Sequence, residues 1–193
     1  MSRRRVVVTG MGMVSPLGNN VKDSWDNVIE GKSGVSTIEH FDVSQFSTRF
    51  AAQVKDFDAS QYMSVKEARK MDVFIQYGIA AAVQAIEDAG LTPETVDYQR
   101  IGCAIGSGIG GLPMIEKNVE LLNASGPKRI SPFFVPGAII NMISGHVAIR
   151  FGFQGPNISI VTACTTGTHN IGMAGRMISY GDADVMVAGG AEM

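Results

Sequence analysis

The sequence predicts an α/β fold built on a largely parallel sheet, with helices on both faces, and three features carry that expectation. Short apolar runs alternate along the chain with longer helical segments, the order that strand-helix-strand units require. Residues 64–90, "SVKEARKMDVFIQYGIAAAVQAIEDAG", join a helix-capping pattern to an apolar, alanine-rich second half. Residues 183–188, "ADVMVA", form a near-continuous apolar run of the kind found in strands buried on both faces.

The elements follow in order. Residues 4–9, "RRVVVT", read as a buried strand ending at Gly10, and residues 11–20 as a turn-rich loop. Residues 24–31, "SWDNVIEG", form a short helix with a glycine stop, and residues 32–63 a polar excursion over the surface with scattered aromatics and no period. The segment 64–90 is one helix, opened by Ser64 with Glu67 three residues on and closed by Gly90. "RIGCAIGSG" is a strand and glycine turn, "LPMIEKNVELLNAS" a helix and "PGAIINMISGHVAIRFG" another. "NISIVTA" is a strand, "CTTGTHNIGMAGRMISYG" a helix and "ADVMVAGGAEM" a final strand. No closing helix follows that strand, so the unit is expected to continue in a larger one.

Composition narrows the function. With 45% hydrophobic and 18% charged residues, the 193-residue chain buries a real core. Sixteen basic against eighteen acidic residues leave a net charge of −2, which gives no global attraction to nucleic acid or to anionic membrane. No apolar run approaches the roughly 20 residues that span a bilayer, and the first apolar run is too short for a secretory signal. Two cysteines, Cys103 and Cys164, without such a signal fit a reducing, cytoplasmic setting.

Cys164 is the candidate for chemistry. It stands where an apolar strand gives way to a helix, so its sulfur is expected near unpaired N–H groups and the positive end of a helix dipole. That setting favours thiolate, the nucleophilic form, and the same N–H groups suit the oxyanion of a tetrahedral intermediate. The plain alternative is a buried cysteine at an ordinary junction, which is also the reading for Cys103. The next helix carries glycine or alanine at 167, 172, 174 and 175, suited to close backbone approach at the centre of a fold. His169 lies about 140° round that helix from Cys164 and reads as a packing or hydrogen-bonding residue. His40 and His146 are remote in sequence, so no Cys-His pair follows from spacing.

Two glycine-rich segments imitate a dinucleotide site. "GSGIGG", 106–111, fits G-x-G-x-x-G after a strand, but no acidic residue ends a second strand about 20 positions on. "VVVTGMGMVSP" is spoiled by Ser15-Pro16 where a helix should begin. A close backbone approach by an apolar ligand suits the first loop better, with Ile109 as its one sizeable side chain.

"VTACTTGTHNI" resembles the active-site signature of the β-ketoacyl-[acyl-carrier-protein] synthases, with Cys164 at the nucleophile's place. "VVVTGMGMVSPLG", "RKMDVFIQYGIAAAVQA", "IGSGIGG", "KRISPFFVPGAIINMISGHVAI" and "YGDADVMVAGGAE" resemble the same family in order, in its elongating, synthase II branch. The resemblance implies a thiolase-like fold of two similar halves, of which residues 1–193 correspond to the N-terminal ketosynthase half and the C-terminal half is absent. It implies acyl transfer to Cys164 from the phosphopantetheine of acyl carrier protein, then decarboxylative condensation with malonyl-carrier protein, with no metal or other cofactor. Ile109 resembles a gating residue at the acyl pocket and Phe134 a pocket residue facing a partner subunit, so a homodimer is expected. Two histidines and a lysine serve decarboxylation in the family and lie in its second half, so the isolated chain is expected to be inactive in elongation and poorly soluble. Lys66, Arg69, Lys70, Lys128 and Arg129 form an expected docking patch for the acidic carrier protein; without the resemblance they read as a solvated face. A cysteine-dependent thioester hydrolase and a non-catalytic ketosynthase-like partner remain the alternatives.

Overall fold

The computed structural model describes residues 4–193. Five strands and seven α-helices follow in order: α1 Val21–Ile29, β1 Val35–Thr37, β2 Phe50–Ala52, α2 Val65–Ala68, α3 Val73–Asp88, β3 Ile101–Gly106, α4 Leu112–Ser125, α5 Phe134–Ala138, α6 Met142–Phe151, β4 Asn157–Ile158, α7 Thr166–Tyr180 and β5 Val185–Gly190. The main sheet is parallel, in the order β4-β3-β5. Its register sets Cys103 beside Asn157 on one side and beside Val187 on the other. This is the α/β architecture that the alternation of apolar runs predicts.

Every residue of β3 is buried. Successive strand side chains face opposite sides of a sheet, so full burial requires cover on both faces. The helices α6 and α7 pack on this strand, and α3 backs α6. Phe74 and Ile75 of α3, Ile101 and Cys103 of β3, and Ile143 and Val147 of α6 are fully enclosed in the resulting core. Ser144 of α6 is also buried, and satisfies itself by accepting from the Ile105 N–H at 2.8 Å while lying 2.9 Å from the Ile158 carbonyl.

Several elements depart from expectation for readable reasons. Residues 4–9 form no strand, and Val7 and Val8 are 66% and 78% exposed. An Arg4–Asp184 ion pair tethers the start of this segment, and the residues after it are fastened by the Met11 and Met13 N–H groups donating to Asp88 and Gln84 of α3. The backbone there lies on α3 so closely that a Cβ at Gly12 would stand 1.8 Å from the Ala81 carbonyl oxygen. A cavity of about 560 Å³ opens between this segment, α3, α7 and β5. Beside it β5 is only half-buried, with Val187 buried and Gly190 exposed, rather than enclosed on both faces.

The helix expected over 64–90 is two. The capping box of Ser64 and Glu67 starts α2 as predicted, but the chain turns at Arg69 and restarts at Asp72. Asp72 is buried, and its carboxylate accepts from the Val73 N–H at 2.6 Å and from the Met114 N–H at 2.8 Å. Residues 136–152 are likewise interrupted, at Ile139, where the backbone extends. That break lets the glycine loop reach the chain, with the Gly111 N–H donating to the Ala138 carbonyl at 2.9 Å. The polar stretch 32–63 contains a small antiparallel pair, β1 with β2, too short to leave an alternation signal.

Candidate functional site

Cys164 is exposed and sits in a single 3₁₀ turn, Ala163–Thr165, immediately before α7. The expected strand "NISIVTA" pairs only at Asn157 and Ile158, and α7 begins at Thr166 rather than at the cysteine itself. The late helix start has a backbone reason: Ala163 has φ +51°, a left-handed conformation that residues other than glycine rarely adopt and through which no α-helix runs. A strained residue directly before an exposed cysteine is held only if its surroundings over-determine it.

They do so through α7. Asn170 is fully buried; its Oδ1 accepts from the Ile160 N–H at 3.0 Å, while its Nδ2 donates to the carbonyls of Ile160 and Thr166, both at 2.9 Å. The Thr166 hydroxyl accepts from the Thr162 N–H at 3.0 Å, and the Thr165 hydroxyl donates to the Thr162 carbonyl at 2.7 Å. The ends of β3 and β5 then close on the turn through glycine. A Cβ at Gly106 would meet the Ile160 carbonyl oxygen at 2.6 Å, and one at Gly190 would meet Gly167 at 3.0 Å. The glycines of the "IGSG" and "AGG" segments thus let two strand ends and one helix start converge on Cys164.

The glycine loop 106–111 is occupied by the protein's own carboxylate. Glu192 accepts from the N–H groups of Gly108 at 2.6 Å, Ile109 at 3.1 Å and Gly110 at 3.3 Å, and from the Ser107 hydroxyl at 2.8 Å. A dinucleotide phosphate would need those same donors, which accords with rejecting the G-x-G-x-x-G reading.

The three histidines stand apart from the sulfur. The His40 ring lies 2.7 Å from Gln53 Oε1. His146 is half-buried on α6, where burial lowers its pKa and the nearby Glu67 carboxylate partly opposes that. His169, expected to pack or bond within the fold, is exposed on α7. Among the described residues no hydrogen bond joins a histidine to Cys164, and no cluster of metal-ligating side chains is present. The second thiol, Cys103, is fully enclosed in β3, and burial pushes its pKa up to about 12.

The remaining candidates are spread around this centre. Ile109 tips the glycine loop and is 67% exposed, and Phe134 opens α5 half-buried; neither lines the 560 Å³ cavity, nor does Cys164. Lys66 and Arg69 are exposed at α2, and Lys70 places its ammonium 4.6 Å from the centre of the Phe133 ring. Lys128 and Arg129 are exposed in the turn Pro127–Arg129. Both basic groups therefore flank the segment that carries Phe133 and α5. Sequence reasoning missed Asn170, Asp72 and Glu192. Only Asn170 leaves a signal, as an amide within the first turns of a helix rich in glycine and small residues.

Known proteins share this arrangement over the whole chain. Residues 3–193 match the family described as beta-ketoacyl synthase, N-terminal domain. Among curated relatives, the 3-oxoacyl-[acyl-carrier-protein] synthase 2 of Vibrio cholerae is 64% identical over 192 residues, covering 100% of this chain and 46% of that protein. The protein of the same name from Coxiella burnetii is 58% identical over 193 residues, 100% of this chain and 47% of its own length. The chain thus spans about half the length of the curated relatives it matches. A solved complex of a type II PKS acyl-carrier protein with its ketosynthase bound to the hexaketide aligns with TM-score 0.83 at 31% identity, over 99% of this chain and 52% of that one. The ishigamide ketosynthase/chain length factor aligns with TM-score 0.83 at 29% identity, over 98% and 48%. With a thiolase-like ketosynthase fold and a family match over nearly its full length, this chain belongs to the beta-ketoacyl synthase N-terminal domain family.

Proposed function

We propose that the chain is the nucleophile-bearing half of a 3-oxoacyl-[acyl-carrier-protein] synthase of fatty-acid elongation, with Cys164 as the acyl acceptor. The observation that carries this is the exposed Cys164 in a strained turn, clasped by Asn170 and by the glycine ends of β3 and β5. In the first step the Cys164 sulfur attacks the thioester carbonyl of an acyl group carried on phosphopantetheine. A new S–C bond forms, the old one breaks, and the phosphopantetheine thiol leaves with a proton. In the second step malonyl-carrier protein loses CO₂ and the electron pair released forms a C–C bond to the Cys164 thioester carbonyl; the S–C bond breaks, and the sulfur leaves as thiolate and takes up a proton. The groups that serve decarboxylation in the family lie outside this chain. Such groups are each worth a factor of about 100 or more, so the chain alone is expected to stop at the acyl-enzyme. A thioester hydrolase would need an in-chain base, and the settings of His40, His146 and His169 offer none bonded to the sulfur.

The partner is an acyl carrier protein, and Lys66, Arg69, Lys70, Lys128 and Arg129 would take its acidic surface on either side of α5. The ketosynthase in the solved complex is bound to such a carrier. Ile109 and Phe134 would border the acyl chain, and the working form would be a cytoplasmic homodimer without metal. None of the described helices is long and apolar enough to cross a membrane. The test is intact-protein mass spectrometry after incubation with acyl-carrier protein. A mass increase of one acyl group is expected, and it should vanish in Cys164→Ala; an increase that survives in that variant would reject Cys164 as the acceptor. Charge reversal at Arg69 and Lys70 in the full-length protein is expected to raise the KM for carrier protein, and an unchanged KM would remove the docking patch.

A further inference from the structure

The four donors that converge on Glu192 do more than close a turn. Ser107 is 1% exposed, and its hydroxyl both donates to Glu192 Oε1 at 2.8 Å and accepts from the Gly110 N–H at 3.0 Å. The N–H groups of Gly108 and Ile109 share Oε2, at 2.6 and 3.1 Å. An ionised carboxylate offers acceptors only, which is what three backbone N–H groups and one hydroxyl demand. The carboxylate is fixed from below as well, because the Ala191 N–H beside it donates to the Gly106 carbonyl at 3.0 Å.

The loop so gripped is the wall of the Cys164 turn. A Cβ at Gly108 would stand 3.3 Å from Ala163, the left-handed residue before the cysteine, and 2.8 Å from Glu192 Oε2. Gly108 therefore sits between the carboxylate and the strained backbone, where a Cβ would press on both. Asn170 holds the turn from the helix side and the glycine loop holds it from the other. If the loop is released, Ala163 loses one of the two supports that keep it left-handed, and the sulfur next to it loses its fixed direction.

We propose that Glu192 is a positioning residue for acyl transfer: its carboxylate clamps the 107–110 loop against Ala163 and thereby fixes the direction of Cys164. The inference rests on the reading of Cys164 as acyl acceptor. It assigns to Glu192 a role that runs through the backbone, with no contact to the acyl group. Charge and shape are both required. In Glu192→Gln an amide N–H₂ faces the donors and one oxygen is lost; in Glu192→Ala all four hydrogen bonds are lost.

The test uses the full-length protein and three readouts. Amide hydrogen exchange over 107–110 reports the clamp. The rate of Cys164 alkylation by iodoacetamide reports the sulfur without any acyl donor. The rate of acylation by acyl-carrier protein, followed by mass, reports function. In Glu192→Ala, exchange at 108–110 is expected to rise and acylation to fall, each by about tenfold or more, the scale of losing charge-assisted hydrogen bonds. The alkylation rate should also change. Added acetate should partly restore all three, which a merely structural loss would not allow. Glu192→Gln should fall between Glu192→Ala and the parent, and Ser107→Ala serves as a milder second variant if Glu192→Ala fails to fold. Unchanged exchange, or faster exchange with unchanged alkylation and acylation, overturns the proposal. If the parent protein is not acylated, the reading of Cys164 fails, while exchange and alkylation still decide whether Glu192 positions the sulfur.

Discussion

Cys103 and Cys164 are the same residue in opposite settings. Cys103 is 0% exposed and its thiol is held protonated by burial, whereas Cys164 is exposed on a turn. Iodoacetamide at about pH 8 is expected to modify Cys164 alone in the folded protein and both cysteines in denaturant, read by peptide mass spectrometry. Equal labelling of the two under native conditions would contradict the burial of β3. Asn170→Leu should cost about 1–3 kcal/mol in urea unfolding, because it strands the N–H and carbonyl of Ile160. It should also slow acylation, since the turn then loses its helix-side support. His146 carries a pH signature. Its folded pKa lies below the ordinary 6.5, so between those two values the unfolded chain binds more protons than the folded one. Its contribution is therefore retained above about pH 6.5 and declines as the pH falls through that window toward the lowered value. In His146→Gln the loss of stability between pH 7.5 and 5.5, measured by denaturant midpoint, should be smaller than in the parent; an equal loss would show that His146 plays no part.

At the scale of elements, the junction of α2 and α3 shows how a local signal is both obeyed and overridden. Ser64 and Glu67 form the predicted capping box. Nothing in "RKMD" announces a second start, because Asp72 acts as a cap only once α4 and Gly137 are packed beside it. Asp72→Ala removes the cap of α3 and the acceptor of the Met114 N–H together. The expected loss is about 1–2 kcal/mol from the cap alone, measured by denaturant unfolding, and a neutral effect would show that the junction is held by packing only. The same logic explains β4. A β-branched run such as "ISIV" reads as a full strand, yet Asn170 claims the backbone of Ile160 and ends the pairing at Ile158.

At the scale of the molecule, β5 leaves one side of the sheet without a paired strand among the described residues, as β4 does on the other. One edge of β5 pairs with β3, the cavity of about 560 Å³ lies beside β5, and Val7 and Val8 stand exposed on its rim. An unpaired strand edge next to exposed valines favours association. The 193-residue chain alone is therefore expected to sediment above its 20.5 kDa monomer mass, increasingly so with concentration. A monodisperse monomer at all concentrations would show that the open side is adequately covered. The sequence by itself determined the α/β class, helical structure within 64–90, the helices around 112–125 and 166–180, the strand at 101–106 and Cys164 as the residue to watch. Those features rest on periodicity, caps and apolar runs, which act within a few residues. The tertiary structure alone decided that residues 10–13 lie against α3, that Ala163 is left-handed and that Glu192 grips the glycine loop. Each of these depends on donors and acceptors brought together from distant parts of the chain, and no local pattern encodes that meeting.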